Sequence, residues 1–311
     1  MKVRFGVFAD LHTDFMHDAR RRVRKFLMEC EKENIDFAIQ LGDFCPPNRV
    51  HMRDKHSILA SIRKWGIPFY HLLGNHDVDA NTKKEALRFL GTKERHYSFD
   101  AGEVHFVILD ANFFELDGTY NAYEKGNYRG LPKNAKLPIL PPKELEWLAK
   151  DLQNAAYPAV IFTHQSLVES RAGIKNAEEF REVVRKAPKG VLMAVCGHEH
   201  VDRLEKKEDV WYYCVNSMSY YWTGSRYKHD TYPKSLTEKF PKLECIFPYR
   251  EPIFAIIEIE DDVIRIRGRR TWIVGAKPAE LNFVREGLED KITSKIKTRT
   301  IKTGAKKYEN I

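Results

Sequence analysis

Short apolar runs alternate with amphipathic helices through much of this chain, and just after each of five such runs comes an aspartate, an asparagine or a histidine. That alternation constrains the fold more than any other feature. Val3–Ala9, Phe37–Gln40, Pro68–Leu73, Ala159–Phe162 and Val191–Cys196 are too continuously apolar to expose a face, so they read as buried strands. Between them the 3.6-residue period predicts helices. Asp18–Glu33 places Val23, Phe26, Leu27 and Cys30 on one face, and Val50–Trp65 follows. A third helix runs from a cap at Asn81 to Leu90, where Gly91 ends it; Pro142–Asn154 and Ala177–Lys186 are two more. Tyr97–Phe99 with Val104–Leu109, and Ile253–Ile259 with Val263–Gly268, read as hairpins. The class is α/β.

The chain has 311 residues, so one α/β domain can use most of it. No apolar stretch is long enough to span a membrane, and the amino terminus lacks the pattern of a secretory signal. Five scattered cysteines (Cys30, Cys45, Cys196, Cys214, Cys245) make no CxxC pair, which argues against a disulfide framework and for a reducing cytoplasm. The net charge of +8 is uneven, because residues 291–311 hold seven basic side chains against Glu309 alone. Nucleic acid is therefore a less favoured partner than a small anion, since a polynucleotide track needs a basic body. Two segments rich in Gly, Pro and Tyr, about 112–141 and 217–252, are too long for plain connections and read as functional loops. The expected organisation is a domain over 1–270 carrying those loops, then a basic extension over 271–311.

The residues that end the strands share one chemistry. Asp10 and His12 follow the first strand, Asp43 the second, and Asn75, His76 and Asp77 the third. His164 follows the fourth, and His198 and His200 follow the fifth. Residues i and i+2 point the same way if the chain stays extended, so Asp10/His12 and His198/His200 can each converge. Carboxylate, amide and imidazole together suit manganese, iron or zinc better than calcium or magnesium. Seven side chains are too many for one tetrahedral ion and divide well between two. Such a pair attracts a phosphate and lowers the pKa of a bound water.

Asp10-Leu-His12, Gly42-Asp43, Gly74-Asn75-His76-Asp77, the isolated His164 and Gly197-His198-Glu-His200 resemble, in order, the motif series of the calcineurin-like metallophosphoesterases. The resemblance covers roughly residues 1–215. It implies a two-sheet sandwich flanked by helices in four layers (αββα), hydrolysing phosphate esters with a hydroxide activated by two metals. By that resemblance Asp10, His12, Asp43 and His200 hold the first metal, with Asp43 bridging. Asn75, His164 and His198 complete the second. His76 stands beside the substrate as the catalytic acid, and Asp77 orients it. The small phosphoester itself, monoester or diester, is left open, as are a nuclease activity and a non-catalytic scaffold role. His96, Arg129 and the run Tyr220-Tyr221-Trp222 are further candidates for substrate contact, and Arg20-Arg21-Arg22-Arg24 reads as the solvated face of the first helix.

Overall fold

The computed structural model describes residues 1–45, 52–168, 170, 172–283 and 292–303. The expected helix start at Val50 and the basic residues Lys291, Lys306 and Lys307 lie outside these residues.

Two six-stranded sheets face each other. Strands β1 (Lys2–Phe8), β2 (Phe37–Gln40) and β3 (Phe69–His71) run parallel, as helical crossovers require. Further along the chain come β4 (Tyr97–Ala101), β5 (Val104–Ile108), β6 (Phe113–Leu116), β7 (Thr119–Ala122), β8 (Ala159–Phe162) and β9 (Val191–Cys196). Then come β10 (Arg203–Lys207), β11 (Val210–Cys214), β12 (Tyr220–Trp222), β13 (Ile246–Pro248), β14 (Ala255–Glu260), β15 (Val263–Arg267) and β16 (Arg299–Lys302). The first sheet has the order β16-β15-β14-β1-β2-β3 and the second β10-β11-β9-β8-β5-β4. The pairs β6-β7 and β12-β13 stand apart as small antiparallel sheets inside the two long loops. The expected strands do not include these four, nor β10, β11 and β16: β6, β7, β10 and β16 are polar in part, and β11, β12 and β13 are short aromatic-rich pieces.

Alternation along β1 sends Val3, Phe5 and Val7 between the sheets and Phe8 outward. Between the sheets Phe5 stacks on Phe37 at 5.0 Å and meets Phe106 and Phe162 edge-on at 5.5 and 5.8 Å. Helices α1 (Ala19–Lys32) and α2 (Met52–Arg63) cover the outer face of the first sheet through Val23, Phe26, Ile58 and Ile62. Helix α3 (Lys83–Leu90) is capped by Thr82 rather than Asn81, with Glu85 completing a capping box, and ends at the left-handed Gly91. Helices α4 (Pro142–Asn154) and α5 (Ala177–Arg185) cover the second sheet through Leu148, Leu152, Phe180 and Val184. The result is the four-layer α/β sandwich. Among the described residues no helix is long and apolar enough to cross a membrane.

Two details change the reading of the sequence. Arg22 is not on the solvated face of α1: it is 1% exposed, paired with Asp18 and hydrogen-bonded to the Tyr249 carbonyl, because a buried guanidinium can satisfy several acceptors at once. Residues 292–303, inside the expected extension, add β16 to the first sheet and reach the second. The Trp211 indole donates to the Lys302 carbonyl at 2.8 Å, and Arg299 grips Asp202 with both terminal nitrogens at 2.8 and 2.7 Å.

Candidate metal centre

The seven strand-end residues meet at one edge of the two sheets. His200 Nε2 lies 3.3 Å from Asp10 Oδ1, and His12 Nε2 lies 3.4 Å from Asp43 Oδ2. His164 Nε2 is 3.2 Å from the same Asp43 oxygen and 3.1 Å from His198 Nδ1. The ligating atoms of Asp10, His12 and His200 all lie within 4.8 Å of one another, and so do those of Asp43, His164 and His198. Asp43 belongs to the second group and also meets the first, through the 3.4 Å approach of its Oδ2 to His12. Asn75 enters through a buried Oδ1 that has no hydrogen-bond partner.

The backbone reaches this arrangement in an unexpected way. The expectation of an extended i, i+2 pair is wrong. Asp10, His12, Asp43, His198 and His200 all have φ between 52° and 67°, the left-handed region that costs a non-glycine residue about 1 kcal/mol or more. The strand ends therefore curl, with alternate residues turned into the site. Interlocking bonds hold the curl: Asp10 N–H donates to the Gly42 carbonyl and His12 N–H to the Asp43 carbonyl. Ser217 and Ser219 hydroxyls donate to the Asp10 and Leu11 carbonyls at 3.0 and 3.1 Å. Gly74 is required by proximity, because a Cβ there would lie 2.1 Å from Asp43 Oδ1.

The remaining ring nitrogens of two histidines are fixed by carbonyls: His164 Nδ1 donates to Leu41 at 2.7 Å and His200 Nδ1 to Tyr220 at 3.1 Å. Each bond selects the tautomer that leaves Nε2 as a ligand. Burial alone pushes the His12 and His164 imidazoles down. For His12 the bonds to Asp14 and Asp43 outweigh it and hold the group at about 10. For His164 the charge and bond of Asp43 hold it at about 9. Burial raises the Asp43 carboxyl, yet His164 and His76 bring it well below the usual range. Without cations His12 and His164 thus balance the carboxylates by holding protons, while burial and the charge of His164 push His198 down to about 3. The Asp10 Oδ1 and Asn75 Oδ1 atoms are buried and without hydrogen-bond partners.

His76 lines the site from a short turn, His76–Val78, with its side chain 32% exposed. Its orientation corrects one expectation: Asp77 does not touch the ring. Asp77 points inward, 0% exposed, and accepts backbone N–H groups from Asp43, Gly74 and Cys45, bracing the two loops. Burial and the nearby Asp43 push its carboxyl up to about 7 against those donors. The residue that holds the ring is Asp79, whose Oδ2 is 2.7 Å from His76 Nδ1. Three residues make one turn of a 3₁₀ segment, so positions i and i+3 face the same way. His-Asp-Val-Asp spacing was the signal that could have found it. Asp79 also accepts from the Tyr128 hydroxyl at 2.6 Å and from Arg129, and Tyr128 in turn accepts from Asn75 Nδ2 at 3.2 Å.

The other candidates separate. Arg129 and Trp222 line the metal cleft, and so does Tyr220, packed on His12 and His200 at 5.3 and 5.0 Å. Tyr221 does not: it is 0% exposed and packs in the inter-sheet core near Phe283, since alternation along β12 turns it away. His96 is not brought to the site either; it rests edge-on against Trp147 at 4.6 Å. Phe15 and Lys242, not singled out in the sequence, complete the cleft, with Lys242 Nζ 5.3 Å above the Trp222 ring. This cleft, of 600 Å³, adjoins a second of 560 Å³, and both are walled by His198 and Trp222. A groove of 760 Å³ along α1 contains none of the seven residues.

The calcineurin-like phosphoesterase family profile matches residues 3–202, the stretch that carries every one of these ligand-type residues. The chain belongs to that family. It is 26% identical over 201 residues to a probable cyclic nucleotide phosphodiesterase of Psychrobacter sp. (strain PRwf-1), a match covering 61% of this chain. The match covers 54% of that relative, so the chain spans about half its length. Among solved structures, a dimetal phosphatase from Danio rerio superposes with a TM-score of 0.59 at 15% identity, covering 88% of this chain and 99% of that one. GAP50, the anchor in the inner membrane complex of Plasmodium, superposes with a TM-score of 0.53 at 12% identity, covering 90% and 92%. At such identities these likenesses concern the fold alone.

Proposed function

We propose that this protein is a hydrolase of small phosphodiesters working with two transition-metal ions. The observation that carries the reading is the convergence of two carboxylate–imidazole groups around Asp43, with Asp10 Oδ1 and Asn75 Oδ1 buried and without hydrogen-bond partners beside them. Asp10, His12, Asp43 and His200 would hold one ion, and Asp43, Asn75, His164 and His198 the other. Manganese, iron and zinc all suit that donor set. When bound, the ions supply Lewis acidity toward phosphoryl oxygens and lower the pKa of water.

The chain's own groups do the rest. Asp79 engages His76 Nδ1 and leaves Nε2 as the nitrogen available to a leaving oxygen, which supports His76 as the general acid. Arg129 and Lys242 at the rim of the cleft draw in the anion. Two clefts meeting at His198 favour a diester over a monoester, because a diester needs room on both sides of phosphorus. The phosphodiesterase name of the bacterial relative supports the same choice. All five cysteines are free and buried, in keeping with a reducing cytoplasm.

The test is hydrolysis of bis(p-nitrophenyl) phosphate and p-nitrophenyl phosphate by protein loaded with manganese, with metal content measured in parallel. The expected result is turnover faster for the diester, with two ions bound per chain. Metal-loaded protein that turns over neither ester would leave the scaffold role as the better reading, and turnover of polynucleotides alone the nuclease.

A further inference from the structure

The second cleft has a composition of its own. Its 560 Å³ lies in the range of small-molecule sites, and its walls include Tyr128, Trp222, Tyr227 and Phe283, all partly exposed. These rings are held in place before any ligand arrives. Tyr128 stacks on the buried Tyr123 at 4.3 Å, and its hydroxyl is tied to Asp79 and Asn75. Trp222 stacks on Phe15 at 5.8 Å with Lys242 above it. Tyr227 and Phe283 meet edge-on at 4.7 Å. Fixed aromatic faces bind another flat ring at little entropic cost. The cleft is also continuous with the metal centre, since His198, Asn75 and Trp222 line it. A group seated there would be attached to a phosphorus at the ions.

The geometry points to this cleft as the subsite for a planar ring on one arm of the phosphoester, a nucleobase or an aryl group. The inference rests on the hydrolytic reading and narrows its substrate class. Lining with rings on several sides discriminates against small alkyl arms. Stacking on an aromatic face is worth about 1.4 kcal/mol or more at the middle of its usual range, so a ring should tighten binding by about tenfold.

Isothermal titration of the manganese-loaded protein tests it without requiring turnover. The probes are adenosine 5′-monophosphate, phenyl phosphate and methyl phosphate, against wild type, Trp222→Ala and Tyr227→Ala. Both ring compounds should bind about tenfold more tightly than methyl phosphate, and that ratio should fall toward unity in the Trp222→Ala protein and decline in Tyr227→Ala. Tighter binding of the nucleotide than of phenyl phosphate identifies a nucleobase; equal binding identifies any aryl ring. Equal affinity for all three compounds in wild type, no binding of any, or a ratio that survives both substitutions overturns the inference. Ring preference in a protein that never hydrolyses bis(p-nitrophenyl) phosphate would remove the hydrolytic reading alone, and turnover without ring preference would remove this one alone.

Discussion

Arg299→Met should damage the metal centre from outside it. Asp202 stands two residues beyond His200, and its side chain is 2% exposed. It accepts two hydrogen bonds from the Arg299 guanidinium, at 2.8 and 2.7 Å, and one from the Lys297 N–H at 3.0 Å. Removing the guanidinium leaves a buried carboxylate with the Lys297 N–H as donor and the Tyr213 hydroxyl beside it. Breaking a buried pair in this way costs about 3–5 kcal/mol. Arg299 keeps 17% of its side chain exposed, so water can answer part of the loss and the low end applies, about 3 kcal/mol. For a domain this large that lowers Tm by about 6 °C or more.

The damage should be local before it is global. Asp202 anchors the chain just after the left-handed His198 and His200, and relaxation there moves His200 Nε2 away from Asp10. If half of the loss falls on that loop, the affinity of the ion at Asp10, His12 and His200 drops about tenfold. The assay is thermal melting with and without excess manganese, together with titration of manganese into stripped protein. The double variant Asp202→Asn, Arg299→Met should recover part of the stability, because no unpaired charge then remains. An Arg299→Met protein that melts within about 1 °C of wild type and binds manganese as tightly would refute the reasoning.

Asp43→Asn should lower turnover by about 10³-fold or more and weaken both ions together, because it removes the charge shared by two ligand groups; loss of one ion only, by mass spectrometry, would contradict a bridging role. Asp79→Asn should slow alkyl esters by about tenfold or more and p-nitrophenyl esters little, since only a basic leaving oxygen needs the proton that a fixed His76 gives. Adding His76→Gln to that variant should cost little further, and fully additive losses in kcat/KM would mean the two act separately. His105 is bonded to Asp151 and Asp100 at 2.8 and 2.6 Å, and those bonds raise its pKa against the opposing effect of burial. Its stabilisation is therefore fully present below the unfolded value of about 6.5 and fades as pH rises through the folded one. His105→Gln should cost about 1 kcal/mol near pH 6 and much less in alkaline buffer, read from urea unfolding; an equal cost at both would refute the ionic role.

The central strands were legible because burial on both faces leaves an unbroken apolar run; Val191–Cys196 and Ala159–Phe162 have the same limits in sequence and in structure. Edge and loop strands were not, since β10 reads Arg-Leu-Glu-Lys-Lys and one face of it is wet. The candidate ligands could be listed because each follows closely on a strand end. How they converge could not, because left-handed backbone at Asp10 or His200 is decided by bonds from distant segments. The exchange of Asp77 for Asp79 has a similar cause. Adjacency in sequence suggested Asp77, while the turn at His76–Val78 sets the third residue, and not the next, on the face of the ring.

Five left-handed residues in one site would not persist unless the surroundings over-determined them. Three segments outside the strand ends contribute, two of them in the loops expected to be functional and one in the expected basic extension. Residues 217–219 hold the Asp10 loop through Ser217, Ser219 and the Met218 N–H, which donates to the Ala9 carbonyl at 2.8 Å. Residues 293–299 hold the other side, where Asn216 donates to the Thr293 carbonyl at 2.6 Å and Arg299 grips Asp202. The loop over 112–141 sends Tyr128 and Arg129 to Asp79, while Lys125 and Gly126 N–H groups donate to the Asn81 and Val78 carbonyls. The first of these regions bonds the left-handed Asp10 segment directly, and the other two brace Asp202, Asn216 and the His76 turn beside it. The same regions supply Trp222, Tyr128 and Arg129 to the clefts, so the parts that hold the metal ligands in place are the parts that select what reaches them.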